Sequence, residues 1–197
     1  ASYTNSTTVT LSLSATDNTG VTAYYLSTSS SSPSSSASGW TSVSSTTSYS
    51  GSVSYTLSGG EGSKTVYVWF KDSSGNVSSS ASDDITLDTT SPTINITSPT
   101  SSDNYTATSS TISLGGSASD STSGIKEVTW TNSSGGSGTA SGTTSWTISS
   151  ISLSNGDTTI TVTAKDNGGN TATDTITVTY KSSSTNVPKV STGSATN

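Results

Sequence analysis

The chain has 197 residues, of which 26% are hydrophobic and 9% are charged, and its net charge is −6. Such an acidic surface repels nucleic-acid backbones and anionic membranes, so we expect neither as a partner. No apolar run approaches the roughly 18 residues that a membrane-spanning helix requires, so we also expect no membrane insertion. Roughly half of the residues are Ser or Thr, which disfavours a helical fold.

The chain contains no His, Cys or Met. A nucleophilic serine needs a neighbouring base, which is usually a histidine. Paired carboxylates for glycoside hydrolysis need a cleft that holds them about 5–9.5 Å apart, and a small β-sandwich rarely provides one. The absence of Cys excludes disulfides and thiolate metal sites. We therefore expect a protein that is not an enzyme.

The first two strands are predicted at residues 9–15 and 21–26. Apolar residues occupy every second position of the first strand, at Val9, Leu11, Leu13 and Ala15. This period of two is typical of a strand with one face in the core and the other in water. In the second strand, the same period directs Tyr24 and Leu26 inward and Tyr25 outward.

A Ser-rich stretch follows, which we interpret as a loop insertion over about 27–50 that contains Trp40. Three further strands have inward residues at Val53, Tyr55 and Leu57, then at Val66, Val68 and Phe70, then at Ile85 and Leu87. The middle strand of these three therefore directs Tyr67 and Trp69 outward. It ends in the loop Lys-Asp-Ser-Ser-Gly-Asn, whose Asp, Gly and Asn suit a tight turn.

The same blocks recur in the same order in the second half. SATDNTGV (14–21) is echoed by SASDSTSGI (117–125), and KTVYVWFKDSSGN (64–76) is echoed by TITVTAKDNGGN (159–170). The offset of roughly 100 residues is the size of one immunoglobulin-like domain. An internal repeat of this length predicts two copies of one domain.

We therefore predict an all-β protein that consists of two tandem immunoglobulin-like β-sandwiches. The first sandwich, which carries the Ser-rich insertion, spans residues 1–89, and the second spans residues 90–180. Pro92 marks the boundary, because the chain is biased towards an extended conformation around a proline. Residues 181–197 are predicted to be a Ser/Thr-rich linker or tail.

Several segments carry a resemblance to known families. In the second half they are PTINITSPT (92–100), ISLGGSASD (112–120), VTWTNSSGGSGTASGTTSW (128–146) and TITVTAKDNGGNTATDTITVTY (159–180). This half resembles bacterial immunoglobulin-like domains of secreted and cell-surface proteins, and also immunoglobulin-like modules attached to polysaccharide-degrading enzymes. In the first half, GWTSVSS (39–45) and KTVYVWFKDSSGNVS (64–78) resemble fibronectin type III-like repeats. The resemblance implies a bacterial protein that lies outside the cell or on its surface.

Domains of this kind have several roles, and a fold does not fix a function. We expect a non-catalytic extracellular structural module, namely a spacer, a stalk or a fibre-forming segment, with or without adhesive contacts. One alternative is a carbohydrate-binding accessory module. Another is a subunit of an extracellular filament or sheath that assembles through β-strand contacts. The expected partners are other copies or neighbouring domains of the same surface assembly, or glycans.

Three aspartates are candidate ligands for calcium, the one cofactor that we consider. An immunoglobulin-like sandwich gathers the loops that carry Asp120 and Asp166 at one end, near the entering chain that carries Asp88. The resemblance thus places three carboxylates at the domain junction, and hard cations prefer oxygen ligands of this kind. Asn167 and backbone carbonyls would complete the shell. Alternatively, these side chains only form Asx turns in tight loops.

The outward aromatic residues of the first copy form a second candidate site. Tyr25, Tyr67 and Trp69 share one face, and Trp40 lies in or near the insertion. If their strands are neighbours, they make an aromatic patch that stacks on sugars or packs against another subunit. Alternatively, the insertion folds over the patch and buries it.

Five asparagines stand in Asn-x-Ser/Thr sequons and are candidate glycosylation sites: Asn5, Asn76, Asn95, Asn104 and Asn132. Because Ser and Thr are so abundant in this chain, such sequons also arise by chance.

Overall fold

A computed structural model describes residues 2–182, and within these residues the chain forms β-strands and no helix. The prediction of an all-β fold is confirmed. No helix in this part of the chain is long and apolar enough to cross a membrane. Residues 183–197, which make up most of the predicted tail, lie outside the described residues. Two compact units are present: the first consists of 2–93, 118–127 and 164–172, and the second of 94–117, 128–163 and 173–182.

Five strands come from the first half of the chain: β1 (Tyr3–Thr4), β2 (Thr8–Ser27), β3 (Thr41–Thr56), β4 (Gly62–Asp72) and β5 (Ala81–Leu87). They form one sheet in the order β1-β5-β4-β2-β3. β1 runs parallel to β5, whereas the other neighbours are antiparallel. β2 is long because it serves two partners: residues 8–24 pair with β3, and residues 21–27 pair with β4.

The register between β2 and β4 determines which side chains share a face of the sheet. Tyr25 lies opposite Trp69, and Leu26 lies opposite Val68. The buried cluster of this half consists of Leu57, Val66 and Leu87, and it is covered by the partly buried Val9, Leu11, Leu26, Tyr55 and Ile85. Removing this apolar surface from water is the main favourable contribution to the stability of so small a core.

One edge of β2 is open within residues 2–182. Residues 8–16 pair with β3 on one side, whereas β4 pairs with β2 only from residue 21 onward. A groove of about 380 Å³ lies between this part of β2 and strands β4 and β5. Its apolar lining comes from Leu11, Leu13, Leu26, Val66, Val68 and Ala81. This segment of β2 therefore offers both free backbone groups and apolar contacts.

Two features of the first half differ from the sequence-based expectation. The predicted insertion of 27–50 is irregular only over 28–40, because Thr41–Thr56 is a strand that pairs with β2. The outward face of β4 is also not uniformly wet, since Trp69 is only 1% exposed. A period of two identifies the two faces of a strand, but it does not show what covers each face.

The second half of the chain contributes eight described strands: β6 (Thr93–Ser98), β7 (Asn104–Ala107), β8 (Thr111–Ser119), β9 (Ile125–Asn132), β10 (Ser137–Thr139), β11 (Ser145–Ser152), β12 (Gly156–Asp166) and β13 (Thr171–Tyr180). One sheet has the order β10-β9-β12-β13-β7, and the other has the order β11-β8-β6. β7 runs parallel to β13. The core of the second unit contains the fully buried side chains of Val128, Trp146, Ile160, Val162 and Val178.

Gly116 allows β6, β8 and β11 to approach one another closely. A Cβ atom at this position would collide with the carbonyl oxygen of Asn95 and with the ring of Trp146. At the neighbouring Gly115, the nearest atom to an added Cβ would be the Trp146 carbonyl oxygen at 3.5 Å, which is an ordinary contact. Two adjacent glycines thus differ in whether the packing requires glycine.

We expect Gly116→Ala to lower the free energy of unfolding by about 1–3 kcal/mol, because overpacking forces side chains and backbone to shift. Gly115→Ala is the matched control. It should be neutral or stabilise by up to about 1 kcal/mol, because alanine reduces the entropy of the unfolded chain. Urea unfolding of both variants measures the difference, and equal midpoints would contradict the packing at Gly116.

Candidate metal centre

Three aspartates from distant parts of the sequence meet in the first compact unit. Asp88 follows the end of β5, Asp120 follows β8, and Asp166 ends β12. One carboxylate oxygen from each residue lies within 4.8 Å of the corresponding oxygens of the other two. The structure therefore brings together the three residues that the sequence singled out as candidate calcium ligands.

The loop after β12 fixes the position of Asp166. Its Oδ1 accepts the backbone N–H groups of Gly169 at 2.6 Å and Asn170 at 2.8 Å, and its Oδ2 accepts the Asn170 side-chain amide at 2.8 Å. The loop closes through the Asp166 N–H, which donates to the Asn170 carbonyl at 3.1 Å. Gly169 has a φ of 104°, a conformation that favours glycine. The Lys-Asp-x-x-Gly-Asn sequence is thus sufficient to build this loop.

Asp120 organises the loop after β8 in a similar way. Its Oδ1 accepts the backbone N–H groups of Thr122, Ser123 and Gly124 at 2.8–3.1 Å. Partial burial opposes the ionisation of Asp120, but these donors outweigh it and hold the pKa of the carboxyl group below its usual value. The carboxylate is therefore ionised at neutral pH.

Asp88 is the least satisfied of the three aspartates. Its N–H donates to the Thr4 carbonyl at 2.8 Å, and its Oδ1 accepts the Thr90 N–H at 3.2 Å. Its Oδ2 is buried and has no hydrogen-bond partner, and the whole residue is 0% exposed. An unpaired carboxylate oxygen removed from water is costly, so a compensating group is expected at this position.

Polar contacts among the three segments hold the carboxylates together. The Asn170 amide bonds to the Asp88 carbonyl at 2.8 Å as well as to Asp166. The Asn167 amide donates to the Ser123 carbonyl at 2.8 Å, and the Gly168 N–H donates to the Ser123 hydroxyl at 3.1 Å. Asn170 is therefore the amide that contacts two of the three aspartates, whereas the Asn167 amide contacts the loop that carries Asp120.

Glu61 is a residue at this site that the sequence did not indicate. It lies in the turn before β4, and its Oε1 accepts the hydroxyl of Thr90 at 2.6 Å and the hydroxyl and N–H of Thr89 at 3.0 and 2.9 Å. Its Oε2 accepts the Thr122 hydroxyl at 3.2 Å. These donors, first among them the Thr90 hydroxyl, lower the pKa of Glu61 from 4.5 to about 2. No local motif surrounds Glu61, so nothing in the sequence connects it to residues 28 to 61 positions away.

The first copy contains an equivalent pair, Asp17 and Asp72, without a third aspartate. Asp72 accepts the N–H groups of Ser74 and Asn76 and the Asn76 amide, as Asp166 does in its own loop. The Thr19 hydroxyl connects the pair, at 2.7 Å from Asp17 and 3.2 Å from Asp72. The Thr19 hydroxyl lowers the pKa of Asp17, and the Asn76 amide lowers that of Asp72. Among the described residues, only the Asp88 group brings three such ligands within 4.8 Å.

The chemistry available at the three aspartates is that of cation binding. Carboxylate oxygens are hard ligands, which suit calcium and magnesium rather than softer transition metals. The chain has no His and no Cys, so the donors available to a metal are oxygens. The residues present therefore fit a hard divalent cation.

The four aromatic residues of the second candidate site also lie together. The Tyr25 ring lies 5.6 Å from Trp40 and 6.2 Å from Trp69, and Tyr67 lies 6.0 Å from Trp69. Lys71 Nζ lies 4.8 Å from the centre of the Trp40 ring and donates to the Ser35 carbonyl at 2.9 Å. Because Trp69 is only 1% exposed, its ring has no free face on which a sugar could stack.

The sequon asparagines differ in accessibility. Asn5, Asn95 and Asn104 are exposed. Asn76 is exposed as well, but its amide donates to Asp72 at 2.7 Å. Asn132 is half-buried, and its side-chain oxygen accepts the N–H groups of Ser134 and Gly136. A glycan is attached to the side-chain nitrogen, so at Asn76 it would compete with the hydrogen bond to Asp72.

The comparison with sequence families concerns the second half of the chain. Residues 94–180 match the family described as K319L-like, PKD domain. None of the curated protein sequences matches the chain. The match covers the strands from Ile94 to the end of β13, and these residues include Asp120 and Asp166 but not Asp88.

The fold of this chain is similar to several solved structures. The fibronectin(III)-like modules of Clostridium thermocellum CbhA superpose with a TM-score of 0.53 at 18% identity, over 91% of this chain and 88% of theirs. Two further structures are less similar. A tetra-tandem repeat in the extending region of a large adhesion protein has a TM-score of 0.37 at 23% identity, over 86% of this chain and 45% of that chain. The D00-D0 domain of intimin has a TM-score of 0.35 at 12% identity, over 90% of this chain and 94% of that chain. The predicted resemblance to immunoglobulin-like and fibronectin type III-like repeats, and with it the β-sandwich fold, is confirmed.

The pKa of Glu61 predicts how acid affects stability. Because the folded-state value of about 2 lies below the ordinary value of 4.5, ionised Glu61 stabilises the fold above pH 4.5. That contribution disappears as the pH falls from 4.5 towards 2. Glu61→Gln should therefore have a lower free energy of unfolding than the wild type at neutral pH. This difference between the two proteins should disappear below pH 3.

Urea unfolding at a series of pH values measures this gap. Glu127→Gln, which removes the only other glutamate of the chain, is the control and should show no such narrowing. A gap between the wild type and Glu61→Gln that stays constant from pH 7 to pH 2.5 would contradict the assigned hydrogen bonds.

Proposed function

We propose that this chain is a non-catalytic structural module of a bacterial extracellular or cell-surface protein, acting as a spacer, stalk or fibre-forming segment. Its partners are then neighbouring domains or other copies in the same assembly. The fibronectin(III)-like fold and the lack of His and Cys support a role without catalysis. The observation that carries the proposal further is that an early strand of each copy pairs in parallel with its last strand.

In both copies, an early strand pairs in parallel with the last strand. Tyr3 and Thr4 of β1 pair with Thr86 and Leu87 of β5. In the second copy, β7 pairs with β13 over four residues, from Asn104↔Thr177 to Ala107↔Tyr180. The bonds that begin these ladders are short: the Thr86 N–H donates to Ser2 at 2.9 Å, and the Thr177 N–H donates to Asp103 at 2.8 Å.

Parallel pairing of this kind suits a module that is under tension between its two ends. When the two ends of a copy are pulled apart, parallel strands slide along each other. The evenly spaced hydrogen bonds between them are then loaded together rather than one after another. Resistance to force should increase with the number of paired residues, so the second copy should withstand more force than the first.

Single-molecule stretching of the full chain from its two ends tests this role. We expect two unfolding events at different forces. Thr177→Pro removes the Thr177 N–H that bonds to Asp103, so it should lower the larger of the two forces.

Thr175→Pro is the matched control for this measurement. It places a proline in the same strand, but before the residues that pair with β7, and the N–H that it removes donates to the adjacent Asp174 side chain at 2.8 Å, so the force should change little. Equal forces for the two variants would contradict the shear-loaded pairing. Release of reducing sugar from a polysaccharide by the wild-type chain would contradict the non-catalytic role.

A second candidate function, assembly by β-strand contacts, is favoured by the open edge of β2. Residues 8–16 leave one side unpaired within residues 2–182, next to the apolar groove. Natural proteins usually protect such edges with charges, prolines or covering elements, because an edge is a template for another strand. The segment Thr8–Thr16 contains neither a charged residue nor a proline. In the second copy, the equivalent side of β8 is occupied by β6.

The chain's own β6 sequence provides the probe for this assembly. A peptide of residues 92–98, PTINITS, should bind the full chain and shift the amide NMR signals of residues 8–16, because Ile94 and Ile96 are the buried residues of β6. A peptide with asparagine at both isoleucine positions is the control. Equal binding of the two peptides, or shifts located elsewhere, would contradict strand addition at this edge.

A further inference from the structure

We infer that Asp88, Asp120 and Asp166 bind one calcium ion in the full chain. This inference goes beyond the proposed structural role, which requires no ion. It rests on the ligand geometry, on one unpartnered buried oxygen and on the contrast with the first copy.

The geometry suits a single ion. Calcium binds oxygens at about 2.3–2.6 Å, so two ligands on opposite sides of one ion lie about 4.8 Å apart. The three carboxylate oxygens all lie within 4.8 Å of one another. One ion between them therefore reaches all three with only small side-chain movements.

The unpartnered oxygen shows that the hydrogen bonds of the protein leave this group unsatisfied. Asp88 Oδ2 has no partner, although Asp88 is fully buried. The Asp166 carboxylate is also fully buried and has all of its hydrogen bonds within its own loop. Within residues 2–182, each donor to these three carboxylates is a backbone N–H, a hydroxyl or the Asn170 amide, and none of these donors is a cation. Three carboxylates so close together repel one another, and a cation between them would remove that repulsion.

The donor set points to calcium among the divalent cations. Zinc prefers nitrogen and sulfur ligands, and the chain has no His and no Cys. Magnesium demands near-ideal octahedral geometry and retains its waters, whereas calcium accepts irregular arrangements of 6–8 oxygens. Here the oxygens come from one strand end and two loops, and waters are left to complete the shell.

The first copy shows what the same loops look like without a third carboxylate. There, the Thr19 hydroxyl donates to Asp17 and also lies within 3.2 Å of Asp72, so it occupies the space between the two acids. In the second copy, the corresponding hydroxyl of Thr122 bonds to Glu61 instead, and Asp88 enters. The Asp17/Asp72 pair therefore matches the site in loop structure but not in ligand number.

Calorimetric titration of the full chain with calcium chloride, after removal of metal with a chelator, tests the inference. We expect one site per chain. At a free calcium concentration 100 times the Kd, the unfolding equilibrium constant should fall about 100-fold, which appears as a rise in Tm. Magnesium should produce a smaller rise at the same concentration.

Asp88→Asn separates a metal ligand from a merely structural residue. Without calcium, this variant should be as stable as the wild type or more stable, because it removes a buried charge and keeps an oxygen that can accept the Thr90 N–H. With calcium, its Kd should increase at least about tenfold, because affinity depends on the charge of the ligands. Asp72→Asn is the matched control and should retain the calcium affinity of the wild type.

Three results would overturn the inference. The first is the absence of heat and of a Tm change up to about 10 mM calcium, well above the Kd of about 1 mM of weak extracellular calcium modules. The second is an unchanged calcium response in Asp88→Asn. The third is an equal loss of response in Asp72→Asn and Asp88→Asn, which would assign the effect to loop stability rather than to ligation.

Discussion

The loop that closes on an aspartate after the penultimate strand is the constraint on which both copies depend. Asp166 and Asp72 each accept two backbone N–H groups and one Asn amide from the next four residues. Each loop is therefore closed by hydrogen bonds among its own residues. The copies differ in what this fixed loop meets. In the second copy it meets Asp88 and the loop that carries Asp120, and in the first it meets only the loop that carries Asp17.

The sequence indicated the three aspartates that meet, but neither Glu61 nor the unpaired oxygen of Asp88. The repeated Lys-Asp-x-x-Gly-Asn block and the Asp120 loop have local signatures, and the fold resemblance brings them towards Asp88. The unpaired oxygen of Asp88 has no such signature, because it depends on donors that the tertiary structure fails to provide. The role of Glu61 was likewise hidden, since its three threonine partners come from residues 89, 90 and 122.

The aromatic face shows a similar limit. The period of two identified the side of β4 on which Tyr67 and Trp69 lie, whereas the register that places Trp69 opposite Tyr25 is seen only in the structure. Trp40, which packs against Tyr25 beside them, belongs to the segment 28–40, whose Ser-rich composition has no periodicity from which a structure could be predicted. That segment is held by single contacts of different kinds, such as the Trp40 indole N–H to the Ser34 carbonyl at 2.9 Å. The strand character of residues 41–50 escaped notice for the same reason, since serines and threonines dominate both faces.

A chain with so few apolar residues must stabilise its loops by polar means. Hydroxyl groups act as donors within the fold, as Thr22 does towards the carbonyls of Lys71 and Asp72 at 3.0 and 2.9 Å. Carboxylates, which accept several bonds each, are the natural centres of such networks. Two carboxylates can lie close together when a hydroxyl lies between them, as the Thr19 hydroxyl lies between Asp17 and Asp72. Adding a third, fully buried carboxylate changes the balance, because one oxygen of Asp88 is left without a donor. With the inferred calcium ion bound, the charge at Asp88 would be compensated from solvent, and the stability of this end of the unit would then depend on the calcium concentration.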